Sequence, residues 1–231
     1  LPIIRSIHRE KLELDQLFDQ PLDQHFDHSF ERLAAHFAQD EGTVVLLSGS
    51  NNDCAQYHIL AARPWLHIQS KGKCLQIQTL NLPFNKTSVE TIYPEQEPLR
   101  VLQTLLKRFK LPENTSAYPP AAYPIDTPVA AGFFGYFSYD LKDQIENLPR
   151  TCMESMLPDI CLYAPSLILI QEIQTGRTTL QIPVLGPALN NDTNSSDELH
   201  EWIHTTKSFF YNKLKTPVAP QSFSTDGTGL K

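Results

Sequence analysis

Ser166-Leu-Ile-Leu-Ile-Gln-Glu-Ile173 and Arg177-Thr-Thr-Leu-Gln-Ile-Pro-Val184, separated by Gln174-Thr175-Gly176, are the stretch whose reading decides the fold. Both runs are strand-sized and rich in β-branched and apolar residues, and the glycine between them can take the positive φ of a tight turn. They read as a long antiparallel hairpin. Upstream, Trp65–Ser70 and Lys73–Leu80 are joined by Lys71-Gly72 in the same manner. Two further strand-like segments precede them, Gln56–Ala62 and Thr43–Ser48, the second short and apolar enough to be expected as a buried strand. Strands that arrive as hairpins, with helices set between groups of them, argue for an α+β protein with antiparallel sheets over a doubly wound parallel sheet.

The helices are read from apolar spacing and end signals. Phe30, Leu33, Ala34 and Phe37 recur at helical intervals over Ser29–Gln39, behind capping candidates Asp27 and Ser29, and Gly42 follows. Glu97–Lys110 places Leu99, Leu102, Leu105, Leu106 and Phe109 on one face, with basic residues in its last turn. Asp140–Leu148 is a short helix stopped by Pro149, and Asp197 to about Lys215 is a long one capped by Ser196. The proline-rich 111–128 segment reads as an exposed connection. One domain over residues 1–215 and a Pro/Ser/Gly linker over 216–231 are expected, with no second core and no internal repeat.

At 231 residues and 41% apolar content the chain can fill a genuine core. A net charge of −7 without a Lys/Arg stripe gives no footprint for nucleic acid or an anionic membrane. No apolar run reaches the roughly 18 residues of a membrane span. The start at Leu1 in place of Met points to processing or a cut boundary, and a cytoplasmic location is expected. Cys54, Cys74, Cys152 and Cys161 form no CxxC pair and are read as buried or half-buried thiols in a reducing compartment. Asn85, Asn114, Asn191 and Asn194 head glycosylation sequons, which would matter only in a secreted protein.

The sharpest chemical motif is His200-Glu201-Trp202-Ile203-His204, an HExxH on an expected helix. In a zinc protease the two histidines share a helix face and the glutamate activates a water. A third ligand is missing where the extended motif would put it: Phe210 stands six residues after His204. A solvated helix face is the better reading, with no metal ligands assigned. His25 and His28, beside Asp23 and Asp27, are read the same way.

Val129-Ala-Ala-Gly-Phe-Phe-Gly-Tyr-Phe-Ser-Tyr-Asp-Leu141 interleaves glycine with aromatics, as a strand does whose backbone approaches another element while its rings fill a core or wall a pocket. Gly132 and Gly135 are both expected where a side chain would collide with a neighbour. Together with Glu146-Asn-Leu-Pro149, Leu157-Pro-Asp-Ile160, Val45-Leu-Leu-Ser-Gly49 and Cys54-Ala-Gln-Tyr-His-Ile-Leu-Ala-Ala-Arg-Pro-Trp-Leu66, this stretch resembles the N-terminal region of the component I synthases that use chorismate. The resemblance runs from about Asp27 to Lys215.

The resemblance implies antiparallel strands in a sandwich-like core flanked by helices. It implies that the residues that bind chorismate, catalyse its conversion and hold Mg²⁺ belong to a C-terminal domain absent from this chain. No catalytic residue and no cofactor are therefore expected here, and chorismate would be met only through that domain. The implied partner is a glutamine amidotransferase subunit. Between branches, the stretch Cys54–Leu66 looks closer to aminodeoxychorismate synthase, on the route to para-aminobenzoate and folate. The anthranilate branch typically shows Leu-Glu-Ser where this chain has Leu47-Ser48. By position in the family, Leu46, Ser48, Gln56, Tyr57 and His58 would line a tryptophan-type pocket. The family often has Arg or Lys at the place of Gln56, so the resemblance implies weakened binding of a ligand carboxylate. A zinc hydrolase built on His200, Glu201 and His204, and a stand-alone binding module, are the alternative classes.

Overall fold

The computed structural model describes residues 1–14, 17, 27–49, 55–82, 90–93, 97–109, 129–146, 153, 155–186 and 196–218. Among these, eight strands and three α-helices follow in the order β1 (Ile3–Leu12), α1 (Asp27–Ala35), β2 (Val44–Leu46), β3 (Tyr57–Lys71), β4 (Cys74–Thr79), β5 (Glu90–Tyr93), α2 (Pro98–Arg108), β6 (Phe134–Phe137), β7 (Ile160–Glu172), β8 (Thr178–Gly186) and α3 (Ser196–Lys215). All the strands join one antiparallel sheet in the order β1-β8-β7-β3-β4-β5, with β2 also on β3 and β6 also on β7. The protein is α+β, as the hairpin pattern requires.

The long β3–β7 pair is the axis of the sheet. Tyr57 opposes Glu172 at one end and Ser70 opposes Ile160 at the other. Near the first end β3 takes β2 and β7 takes β8; near the second, β3 takes β4 and β7 takes β6. The two strands bulge together at mid-length, where Pro64 lies opposite Pro165 and the register shifts before Leu66. Proline cannot donate to a ladder, so two facing prolines leave a gap that a bulge absorbs. Arg63, at φ 51, carries the turn in the backbone, and its carbonyl accepts from Ser166 Oγ at 2.6 Å. The sequence pattern divides β3 at Arg63-Pro64; the structure keeps one strand through the bulge.

All three helices contribute to the core on one face of the sheet. Phe30, Leu33 and Phe37 from and after α1, Leu102 and Leu105 from α2, and Trp202, Ile203 and Phe210 from α3 pack with Leu60, Leu66, Ile68, Leu167, Leu169, Leu180 and Ile182. Each such side chain contributes about 1.5–3 kcal/mol by leaving water. The opposite face has a smaller cluster of Ala61, Phe134, Ile168 and Ile170. The bulge also anchors α3. The Arg63 guanidinium sits 5.3 Å from the ring centres of both Trp202 and Phe209 and donates to Thr206 Oγ1 at 2.7 Å.

Three local expectations are corrected. Val45 and Leu46 are exposed, because among the described residues β2 pairs with β3 alone. Tyr136, Phe137 and Tyr139 are exposed as well: β6 pairs only with β7, and Phe134 alone of its aromatics is buried. Gly135 does sit where a side chain cannot go, at φ +148 with an added Cβ only 2.0 Å from the Cys161 carbonyl oxygen, but a Cβ on Gly132 would meet nothing within 4 Å among the described residues.

Candidate functional site

The five residues of the expected pocket lie at the Tyr57 end of the β3–β7 pair. Ser48 follows the β2 edge strand, and its Oγ donates to the Tyr57 carbonyl at 2.8 Å. Its N–H donates to His58 Nδ1 at 3.3 Å, which makes Nδ1 an acceptor and puts the ring proton on Nε2. Having donated its own proton, the Ser48 hydroxyl keeps lone pairs for an incoming donor such as an ammonium group.

Strand alternation divides the other four. Leu46 opposes Ile59 and so shares its face with Ile59 and Tyr57, of which the latter two pack on the smaller cluster while Leu46 is exposed. His58 points to the helical face, 7% exposed, with its ring stacked on Phe30 at 5.5 Å. Gln56 is exposed, and its carbonyl accepts from the Ile173 N–H at 2.9 Å. A ligand beside Ser48 on the Tyr57 face would therefore meet Leu46 and Tyr57, while His58 would act on it only through the Ser48 backbone.

The HExxH residues are exposed on α3. His200, Glu201 and His204 face outward, while Trp202, Ile203, Thr206 and Phe210 are buried and Trp202 Nε1 donates to the Pro183 carbonyl at 2.9 Å. Among the described residues no group of three or more His, Cys, Asp or Glu side chains could hold a metal ion, and none fits a Mg²⁺ site. His25 and the side chain of His28 lie outside the described residues, as do Cys54, Cys152, the four sequons, the 111–128 connection and most of the 216–231 linker. Cys161 is half-buried, but Cys74 is exposed on β4, contrary to the expectation of buried thiols; both are free.

The Pro-Asp and Tyr-Asp-Leu motifs meet at the opposite end of the β3–β7 pair, in an arrangement that composition did not foreshadow. Asp159, 5% exposed, accepts from the Gly72 N–H at 2.7 Å and from Gln144 Nε2 at 3.3 Å on one oxygen, and from Lys71 Nζ at 3.2 Å on the other. Lys71 Nζ also donates to the carbonyls of Ser155 at 2.7 Å and Leu157 at 2.9 Å. A 3₁₀ turn over Tyr139–Gln144 supplies Gln144 and buries Leu141, and Asp140 accepts from the Ser155 N–H. One buried carboxylate thus ties the β3–β4 turn, the 3₁₀ turn and the entry to β7 together. Both oxygens are engaged by protein donors and the side chain is buried, so Asp159 holds architecture.

A third polar group lies between the two ends. His67 stacks on Tyr163 with ring centres 4.3 Å apart, and Cys161 Sγ is 3.7 Å from His67 Nε2. Burial holds the His67 imidazole below its ordinary value and pushes the Cys161 thiol and the Tyr163 phenol up. A raised thiol beside a neutral imidazole is a packed polar pair; a nucleophile would need its thiol lowered.

No protein-family model matches the chain. Among curated proteins it is similar to anthranilate synthase component 1 of Cereibacter sphaeroides, 28% identical over 129 residues that make up 55% of this chain and 23% of that protein. It is also similar to anthranilate synthase component 1 of Buchnera aphidicola subsp. Baizongia pistaciae, 30% identical over 98 residues, 42% of this chain and 17% of that protein. The matched stretches span less than a quarter of either relative's length. Among solved structures, the crystal structure of anthranilate synthase component I from Streptococcus pneumoniae aligns over 75% of this chain and 34% of that chain, with a TM-score of 0.41 and 16% identity. No helix among the described residues is long and apolar enough to cross a membrane.

Proposed function

We propose that this chain serves as the non-catalytic N-terminal domain of a chorismate-using synthase of the component I type. The observation that carries the reading is the likeness over 129 residues to a component 1 protein. The motif geometry supports it from the other side: Asp159 and Asp140, the acidic residues of the two most specific motifs, are engaged by backbone and side-chain donors. Residues 1–215 form the domain and 216–231 the linker. Chorismate, Mg²⁺ and the chemistry belong to a C-terminal domain, ammonia comes from a glutamine amidotransferase subunit, and the assembly works in the cytoplasm.

Two branches remain, each favoured by its own observation. The Cys54–Leu66 stretch and the lack of Leu-Glu-Ser at Leu47-Ser48 favour aminodeoxychorismate synthase, which exchanges a chorismate hydroxyl for an amino group toward folate. The names of both relatives favour anthranilate synthase. In either branch the corner of Leu46, Ser48, Gln56, Tyr57 and His58 builds one wall of a tryptophan-type pocket, Leu46 and Tyr57 facing the ligand, the Ser48 hydroxyl placed to accept from its ammonium, and His58 holding the Ser48 backbone from the helical face. The HExxH residues serve as a solvated helix surface.

The test is an assay of the purified chain with chorismate, ammonia and Mg²⁺. Neither aminodeoxychorismate nor anthranilate is expected above the uncatalysed background, and either product in excess of it overturns the reading. Assaying the protein over its full natural reading frame then separates the branches by which product forms.

A further inference from the structure

A cavity of about 240 Å³ lies between the C-terminal end of α2, the approach to β6 and the middle of the sheet, away from the Ser48 corner. Its walls are Ile4, Trp65, Leu106, Phe109 and Phe133, and its space is left by the small residues Ala131, Gly132 and Ala164. All eight are apolar or small. The rings form a cluster: Trp65 meets Phe109 edge-on at 5.5 Å and 81°, and Phe109 meets Phe133 at 6.0 Å and 61°.

The void is held open by the fold. Trp65 is 1% exposed in the β3 bulge and Ala164 lies opposite Leu66 in the β3–β7 ladder, so neither can move in without breaking the sheet. Gly132 has no side chain to offer, and a Cβ there would meet none of the described residues, although its backbone is not in the left-handed region that would demand glycine. Leu106 in its wall is exposed, so the pocket is a cleft open to solvent on that side, concave and apolar as small-ligand sites are.

We propose that this cavity is a binding site for a small uncharged aromatic molecule of one or two fused rings. The aromatic walls offer the edge-to-face contacts that such a ring makes beyond simple burial. A charged ligand is excluded, since none of the lining side chains could pair with it and its desolvation would go unrepaid. The site is independent of the component I reading, and of the polar corner at Ser48.

The probe is benzene, added at millimolar concentration to the whole chain and followed by thermal unfolding and by the indole N–H signal of Trp65 in NMR spectra. A saturable rise in Tm with a shift confined to Trp65 and its neighbours is expected, while the Trp202 indole stays unmoved. Gly132→Leu should fill the cavity from within, leave Tm equal or higher without ligand, and weaken benzene binding by about ten-fold or more. Leu106→Trp, at a half-exposed helix position that tolerates exchange, should block the mouth with the same loss. No benzene response in the unsubstituted chain overturns the proposal, and so does an equal response in a folded Gly132→Leu or Leu106→Trp variant.

Discussion

The two ends of the β3–β7 pair are built on opposite plans. At the Ser70–Ile160 end, one buried carboxylate gathers a turn, a 3₁₀ segment and a strand entry, with both of its oxygens engaged. At the Tyr57–Glu172 end, Ser48 is held by two hydrogen bonds while Leu46, Leu47 and Gln56 beside it are exposed. The difference teaches where to look for function. A buried carboxylate with both oxygens engaged fixes architecture, whereas a half-buried hydroxyl with spare lone pairs next to uncovered apolar side chains has capacity for a partner. The motifs that most strongly suggest a family are at the first end; the residues suited to a ligand are at the second.

The comparison is broken most forcefully at Asp159. Asp159→Ala leaves the Gly72 N–H without its acceptor and Lys71 Nζ with only its two carbonyl acceptors, and about 2–3 kcal/mol of stability should be lost in chemical denaturation. A loss below ~1 kcal/mol would mean that the end is held by its carbonyl contacts alone. Next comes Gly135, on the strand leading from that end. Gly135→Ala should cost about 2–3 kcal/mol, because its Cβ overlaps the Cys161 carbonyl at a φ that L-residues avoid. Gly132→Ala should cost nothing measurable, and equal losses at the two glycines would refute the distinction.

A smaller effect is expected from pH, at His67 between the two ends. Its neighbours Tyr163, Cys161 and Glu41 leave burial as the dominant influence, and the folded imidazole titrates below its ordinary value of about 6.5. The fold therefore favours neutral His67. Its contribution is whole above that ordinary value and is lost as pH falls through it toward the lower folded value, since the unfolded chain binds the proton first. Tm should decline from pH 7.5 to pH 5.5 and decline less in His67→Gln. An identical slope in the two proteins would assign the acid sensitivity elsewhere.

Much of this architecture was legible in the sequence, and the misses have local causes. The β7–β8 and β3–β4 hairpins and all three helices announce themselves by glycine turns and apolar spacing. β1 does not: Arg5, His8, Arg9, Glu10 and Lys11 interrupt it, because an edge strand tolerates charges that an inner strand would reject. β5, at the other edge, is equally short of apolar signal. The Asp159 hub had no local signature either, since Lys71 lies 88 residues away in the chain. Reading Thr43–Ser48 as buried failed because an apolar run reports strand propensity without reporting whether anything covers it. At the candidate site, Ser48 and Tyr57 were reachable from position in a family pattern, but only the ladder register shows that Tyr57 and His58 serve opposite faces.

The central proposal is that the Ser48 end is one wall of a site whose other wall lies outside this chain. Calorimetric titration of the chain with tryptophan tests it most directly. On that proposal an indole would bury only part of its surface against this chain, and at roughly 25 cal/mol per Å² the lost contact would exceed what one serine hydrogen bond restores. Gln56 adds no charge to hold the carboxylate. Affinity no tighter than about millimolar, weakened further by Ser48→Ala, is predicted. Micromolar affinity abolished by Ser48→Ala would contradict the account and make this domain a self-contained ligand sensor.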